Sequence, residues 1–373
     1  VRVFELPAGV GPRAQGRAHG EEFAPLIREI GEIRVELCMV NGRFTRAEDV
    51  LAAATPHLPL LERWDEASFE ELMGIAEGAG VSPELVVALN HYTDLRDLDP
   101  ASFGAKQSPS SPEDDDECSL VFAKTAEGSL LGETWDTHAS VMPYVLMMRL
   151  PEAEDVPEAW LFSITGCLGM SGMNSRGIAC GINNLKSTDA RVGAVWSAIV
   201  RRALRQATAE DARDVILDAP LGSGHHYFVA GPNSGYGIET SGERKALVFD
   251  NSASSYVHTN HCFDAKVGEC SLVKEGSTTL SRYATLKAGI EEHAIEDWAD
   301  LWRRFGSHDG YPKSICTHLA GPNNPHGVAT NGAVVMDCEA RELWATTGCV
   351  HYARPMLFDF DSDRSSDFEA FEA

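Results

Sequence analysis

SPSSPEDDDE at 108–117 followed by CSLVFAK at 118–124: the chain changes character at Cys118. Before it the residues are acidic and dotted with proline and serine, the composition of a linker. After it they alternate as a strand does, and the alternation starts on the cysteine itself. A second strand pattern, GSLLGETWD, ends eighteen residues further on (136 − 118) at Asp136. If the Glu117–Cys118 bond is cut, Cys118 becomes a new N-terminus. It then carries a thiol and a free α-amine, a nucleophile with its own base. The plain alternative is a small buried hydrophobe in a strand, the usual fate of a cysteine.

Outward from this junction the chain falls into zones. Residues 21 to 97 carry apolar residues at helical spacing: EEFAPLIREIGEIRVELCMV, then FEELMGIAEGAG, whose final glycine suits a C-cap, then SPELVVALNHYTDL with Ser82 placed as N-cap. Residues 98 to 117 read as a polar linker. From 118 onward short strands dominate, at 118–124, 128–135, 143–150, 158–164 and 177–183. AVWSAIVRRALRQA and TAEDARDVILDA read as helices, with Arg201, Arg202 and Arg205 as a solvated basic face. HHYFVAG, GYGIETS, ALVFD and YVHTN follow as strands, then helices at 278–292 and 296–304 and strands at 328–336 and 341–347. Strand blocks separated by paired helices predict an α+β fold with helices layered on antiparallel sheets. Gly166, Gly169 and Gly172 in GCLGMSG indicate close backbone approach or a pocket wall. They do not form a nucleotide loop, since no strand–turn–helix follows.

Composition narrows the function classes. A net charge of −25 argues against nucleic acid or an anionic membrane surface as partner. Part of that charge lies in two tracts, 113–117 and 359–373, which read as solvated tails. No stretch has the 18 or so apolar residues of a membrane span, and the first twenty residues lack the apolar core of a secretory signal. Nine scattered cysteines without a CxxC pair fit a reducing, cytoplasmic setting with free thiols. His258 and His261 flank Asn260, but no further ligand spacing accompanies them. They read as packing or hydrogen-bonding residues, as do His225 and His226, and no metal or cofactor is expected.

Five pieces in order resemble a known family: the cysteine-led strand, GETWD at 132–136, NSRGIACGINNL at 174–185, VHTNHC at 257–262 and GYPKSIC at 310–316. Together the segment from 118 to about 350 resembles the acyl-coenzyme A:6-aminopenicillanate acyltransferase family of N-terminal nucleophile hydrolases. The resemblance implies a four-layer αββα sandwich and a precursor that cuts itself between Glu117 and Cys118. Residues 1–117 would be a helical α-chain segment packed on the 118–373 core, giving pieces of 117 and 256 residues (373 − 117). The cut would proceed by attack of the Cys118 thiol on the Glu117 carbonyl, an N-to-S acyl shift and hydrolysis of the thioester.

The same resemblance assigns roles. Cys118 is the nucleophile, Asp136 orients or balances its amine, and Asn260 is the oxyanion donor, for which an amide N–H suits because it does not titrate. Asn183 lies where related hydrolases keep an asparagine beside the nucleophile, though Asn-Asn also fits a turn. Trp135, His138, Leu168 and Thr317 complete the candidate substrate-binding set. Two positions depart from the family: Glu117 stands where glycine is common, and Thr317 stands where some members have arginine after SIC.

The leading expectation is a self-processing amidohydrolase that cleaves a linear amide, an N-acyl amine or N-acyl amino acid, through a thioester on Cys118. Its partners would be a small-molecule substrate and the two fragments of its own precursor, with homo-oligomerisation left open. The alternatives are an acyltransferase using acyl-coenzyme A and a non-catalytic binding protein on the same scaffold.

Overall fold

A computed structural model describes residues 1–108, 118–324 and 326–360. Glu117, the acidic tract at 113–117 and residues 361–373 of the acidic tail lie outside the described residues.

The chain opens with strand β1 (Arg2–Glu5) and six helices: α1 (Pro12–Val40), α2 (Ala47–Ala54), α3 (His57–Trp64), α4 (Glu66–Ala79), α5 (Pro83–Asn90) and α6 (Tyr92–Asp97). α1 begins nine residues before the predicted Glu21 (21 − 12) and is kinked at Phe23, two residues before Pro25. The kink follows from proline, which has no N–H to offer and crowds the preceding turn. Before the kink, α1 packs on α4 at backbone contact. A Cβ at Gly16 would lie 2.0 Å from the Glu71 carbonyl oxygen, and one at Gly74 2.1 Å from the Arg13 carbonyl oxygen. The two predicted caps are present. Gly80 closes α4 at φ +63°, and Ser82 Oγ accepts from the Leu85 N–H at 3.3 Å.

Beyond Cys118 come β2 (Ser119–Lys124), β3 (Ser129–His138), β4 (Val145–Leu150), β5 (Ala159–Ile164), β6 (Ser171–Asn174) and β7 (Ala179–Asn184). Helices α7 (Trp196–Ala203) and α8 (Ala209–Asp218) lead to β8 (His225–Gly231), β9 (Ser234–Thr240), β10 (Lys245–Asp250) and β11 (Ser255–His258). Then follow α9 (Ala265–Gly268), α10 (Thr279–Glu292), α11 (Trp298–Phe305), β12 (Val328–Asp337), β13 (Glu342–Thr347) and β14 (Met356–Phe358). These strands form two sheets. The eight-stranded one runs β1-β4-β5-β6-β7-β8-β9-β10 and the six-stranded one β11-β2-β3-β12-β13-β14. Every pair is antiparallel except β1 with β4.

The sheets face each other through β2, β3 and β12 against β6, β7 and β8. α7 and α8 cover the outer face of the larger sheet, while α10 and α11 cover that of the smaller. This is the four-layer αββα sandwich that the family resemblance implied. One continuous apolar core joins the N-terminal helices to the sheets, with Ile27 and Leu89 in the same cluster as Phe162 and Ile199. A second core, containing Leu286, Leu301, Phe305 and Val335, lies under α10 and α11.

One expectation fails here. The basic side of α7 is not a solvated face. Arg201 is 2% exposed, its guanidinium donates to both Glu71 carboxylate oxygens at 2.8 and 2.6 Å, and Arg205 pairs with Asp65 at 2.8 Å. Arg202 packs over the Trp64 ring. The arginines face α3 and α4, so that side of α7 is a docking surface.

Candidate active site

The ladder between β2 and β3 places the first two candidates. Ser119 pairs with Thr134, so Cys118, one residue earlier, comes beside the Trp135–Asp136 end of β3. Cys118 Sγ lies 3.8 Å from the Asp136 carbonyl oxygen, and both residues are buried. Thr134 ties the corner together. Its hydroxyl donates to Asp136 Oδ2 at 2.8 Å and accepts from the Ser119 N–H at 3.1 Å.

Arg282 on α10, which the sequence did not single out, is the centre of this corner. It is 2% exposed, and its guanidinium reaches four groups: the Cys118 carbonyl oxygen at 2.8 Å, Ser119 Oγ at 2.9 Å, Asn260 Oδ1 at 2.9 Å and Thr278 Oγ1 at 2.8 Å. A rigid planar fork can satisfy partners in several directions at once, which a lysine cannot. Because Arg282 occupies the Asn260 oxygen, the orientation of that amide is decided. Asn260 Nδ2 donates to the Asn184 carbonyl at 3.0 Å, and an amide carries a second N–H. The Asn260 backbone N–H is itself anchored on Thr279 Oγ1 at 2.8 Å.

Cys118 opens on a pocket of about 40 Å³ lined by Arg34, Thr93, Trp135, Thr137, Ile182, Asn184, Trp196 and His225. Roomier clefts, of 730 Å³ beside His308 and 690 Å³ beside Trp298, have none of Cys118, Asp136 or Asn260 in their walls. The chemistry and these roomier clefts therefore lie apart. Arg34, from α1, brings a positive charge to the pocket wall and stacks at 4.6 Å from the Tyr92 ring centroid. His225 Nε2 meets Asp94 Oδ2 at 2.7 Å.

Of the predicted binding residues, Trp135 lines this pocket. Asn183 does not. Side chains alternate along β7, so Ile182 and Asn184 face the pocket, while Asn183 points the other way and meets His226 Nδ1 at 2.9 Å. His138 contacts Ser140 Oγ at 2.7 Å and packs edge-on to Tyr92. Leu168 is buried, its backbone held by Asn90 and Arg201. Thr317 is buried too, its N–H donating to Thr330 Oγ1 at 2.9 Å on β12, outside the pocket wall. The cations that Thr317 fails to supply come instead from Arg34 and Arg282, on elements far apart in sequence. His258 and His226 stack at 3.6 Å, and His258 Nε2 meets Glu239 at 3.0 Å, the hydrogen-bonding role expected of them.

Glu133, three residues before Asp136, spans the gap between the sheets. Its Oε2 accepts the Ile182 N–H at 2.8 Å, and Gly181 leaves the space for it: a Cβ there would come within 2.7 Å of Oε2. Burial, and then the nearby Asp136, hold its pKa well above the usual carboxylate range.

Among solved structures, the chain is similar to a mutant of conjugated bile acid hydrolase from Clostridium perfringens, with a TM-score of 0.47 and 12% identity over 69% of this chain and 97% of that one. It is also similar to penicillin V acylase from Agrobacterium tumefaciens, with a TM-score of 0.42 and 11% identity over 64% of this chain and 84% of that one. The 40 kDa form of acyl-coenzyme A:6-aminopenicillanic-acid-acyltransferase from Emericella nidulans is 25% identical over 285 residues, 74% of this chain and 75% of the relative. The family model described as acyl-coenzyme A:6-aminopenicillanic acid acyl-transferase matches residues 123–349. The matched stretch begins just after Cys118 and contains Asp136, Asn260 and Thr317. Since it spans more than half of the chain, the protein belongs to the acyl-coenzyme A:6-aminopenicillanic acid acyl-transferase family.

Proposed function

We propose that this chain is a self-processing amidohydrolase that cleaves N-acyl amino acids through a thioester on Cys118. The observation that carries the reading is the convergence of Cys118, the Asp136 end of β3 and the Arg282-held Asn260 on one buried corner. Cleavage at Glu117–Cys118 frees an α-amine whose ordinary pKa is about 7.7–8.0, suited to take the thiol proton near neutral pH. Sγ then attacks the substrate carbonyl carbon. The second N–H of Asn260 stabilises the oxyanion, the α-amine returns the proton to the departing amine, and water hydrolyses the thioester to the free acid. Asp136 holds the charge of the α-ammonium between these steps. Trp135, Ile182 and Trp196 offer an apolar wall for the acyl group, and Arg34 offers a cation for the substrate carboxylate.

A second reading, acyl transfer from coenzyme A to an amine, is supported by the name of the Emericella relative. It shares the thioester and differs only in the acceptor. The net charge of −25 disfavours a polyanionic carrier. The test has two arms. Intact mass of purified protein is expected to show two pieces summing to about the 40.4 kDa chain, the larger beginning Cys-Ser-Leu. Enzyme given N-acyl amino acids in water, and separately acyl-coenzyme A with amino acids, is expected to hydrolyse faster than it synthesises. Faster synthesis at equal concentrations would promote the transferase.

A further inference from the structure

The GYPKSIC motif has a second use that the reaction does not absorb. Its Cys316 is not part of the Cys118 pocket wall and stands in a group with His308, His318 and Cys349. The four ligand atoms all lie within 4.8 Å of one another. Sγ to Sγ is 3.7 Å, Nε2 to Nε2 is 3.1 Å, Cys316 Sγ to His318 Nε2 is 3.5 Å and Cys349 Sγ to His308 Nε2 is 3.4 Å. These spacings can be compared with a tetrahedral ion. From ordinary zinc–sulfur and zinc–nitrogen bond lengths, the edges of a Cys₂His₂ tetrahedron are about 3.8 Å between sulfurs, about 3.3 Å between nitrogens and about 3.6 Å between unlike atoms. These four edges match that figure within 0.2 Å or so. A Cys316–Cys349 disulfide would need the sulfurs at about 2.05 Å.

We propose that His308, Cys316, His318 and Cys349 form a structural zinc site. Two thiolates and two imidazoles suit zinc, and four protein ligands leave no open position for catalysis. The site would revise the expectation of no metal, which was drawn from the lack of further ligand spacing beside His258 and His261. The donors come from three separate segments and meet only in the folded protein. His308 lies past the end of α11, Cys316 and His318 flank Thr317, and Cys349 follows β13.

The surroundings are built. The Cys316 N–H donates to the Ser307 carbonyl at 3.1 Å and the His318 N–H to the Pro312 carbonyl at 3.0 Å. The backbone N–H of Val350 faces the Cys316 sulfur, as is favourable for a bound thiolate. The 730 Å³ cleft lined by His308 and His351 is an entry path from solvent. The site would staple the 306–320 segment to the end of β13. Thr317, between two of the ligands, exchanges bonds with Thr330 on β12, and Thr330 is the register partner of Asp136. Zinc would thus brace, from behind, the strand end that carries Asp136.

The test begins with elemental analysis of protein purified under reducing conditions, reconstituted with zinc and dialysed. One zinc per chain is expected, with Cys316 and Cys349 shielded from alkylation until a strong chelator is added. Cobalt(II) in place of zinc should give the intense visible absorption of a tetrahedral site with sulfur-to-metal charge transfer. His308→Ala and Cys349→Ser should each reduce the bound metal to background. Because these variants could fail to fold, the wild-type cobalt spectrum stands as the independent measurement. No zinc above background in the reconstituted wild type, an octahedral cobalt spectrum, or a Cys316–Cys349 disulfide persisting in reductant would each overturn the site.

Discussion

Cys118 and Cys316 sit in opposite company. Cys118 stands just before β2, its sulfur 3.8 Å from the Asp136 backbone carbonyl oxygen and its own carbonyl held by Arg282. Cys316 faces a second sulfur and an imidazole nitrogen, each within 3.7 Å. A sulfur in the wall of a pocket is arranged to react. A sulfur in a closed group of four donors is arranged to hold. The two corners lie on one sheet and are linked by the Asp136–Thr330–Thr317 contacts, so they can be separated experimentally.

The sharpest separation is a pair of substitutions. Cys118→Ala is expected to abolish processing and turnover while leaving Tm and metal content near wild type. Cys349→Ser is expected to do the reverse. It should lose the metal and about 3–4 kcal/mol of stability when zinc stands at hundreds to a thousand times its Kd, yet retain processing. Calorimetry, elemental analysis and a mass measurement on both proteins decide it. If Cys118→Ala released the metal, or Cys349→Ser blocked processing in folded protein, the division of labour would be wrong.

A control remote from both corners is Arg201→Ala. It leaves the Glu71 carboxylate buried without its cation, at a cost of about 3–5 kcal/mol. Metal content and the chemistry of Cys118 should be unchanged at temperatures where the protein is folded. Chemical denaturation shows the loss. A change below about 1 kcal/mol would mean that water relieves Glu71.

Asn260→Ala tests the reactive corner from its other side. Removing one oxyanion donor should lower kcat by about 10²–10³. KM should move little, because the donor is aimed at the transition state. A change confined to KM would make Asn260 a substrate-binding residue.

Much of this was legible in the sequence, and what was missed has physical causes. The two strands that follow Cys118 announce themselves by alternation, and Asp136 and Asn260 by their place in ordered motifs. β1, β6 and β14 are only four, four and three residues long, too short for a pattern to emerge. Arg282 and Arg34 look like ordinary helix charges. Their roles depend on which element the fold lays beside them. Arg201 misled for the same reason, since periodicity marks a polar face but not whether another element covers it. Asn183 and Asn184 differ by one position, and on a strand one position exchanges faces.

The smallest expected effect concerns Glu133, which shares β3 with Asp136 and whose pKa burial raises. Its folded pKa is raised, so the folded protein keeps a proton that the unfolded chain gives up above its ordinary pKa of about 4.3. The stability it contributes is complete below that value and is lost as pH rises toward the folded pKa, at about 1.4 kcal/mol per pH unit. His19 and His91 act in the opposite direction. Burial lowers both to about 3, so their contribution is present above about 6.5 and is lost as pH falls toward 3. Glu133→Gln keeps the shape and has no proton to lose. It should leave kcat near wild type and flatten only the alkaline limb of the stability curve, with the acid limb intact. Denaturation midpoints taken across pH compare the two proteins. An unchanged alkaline slope would mean that the fold does not raise the pKa of Glu133.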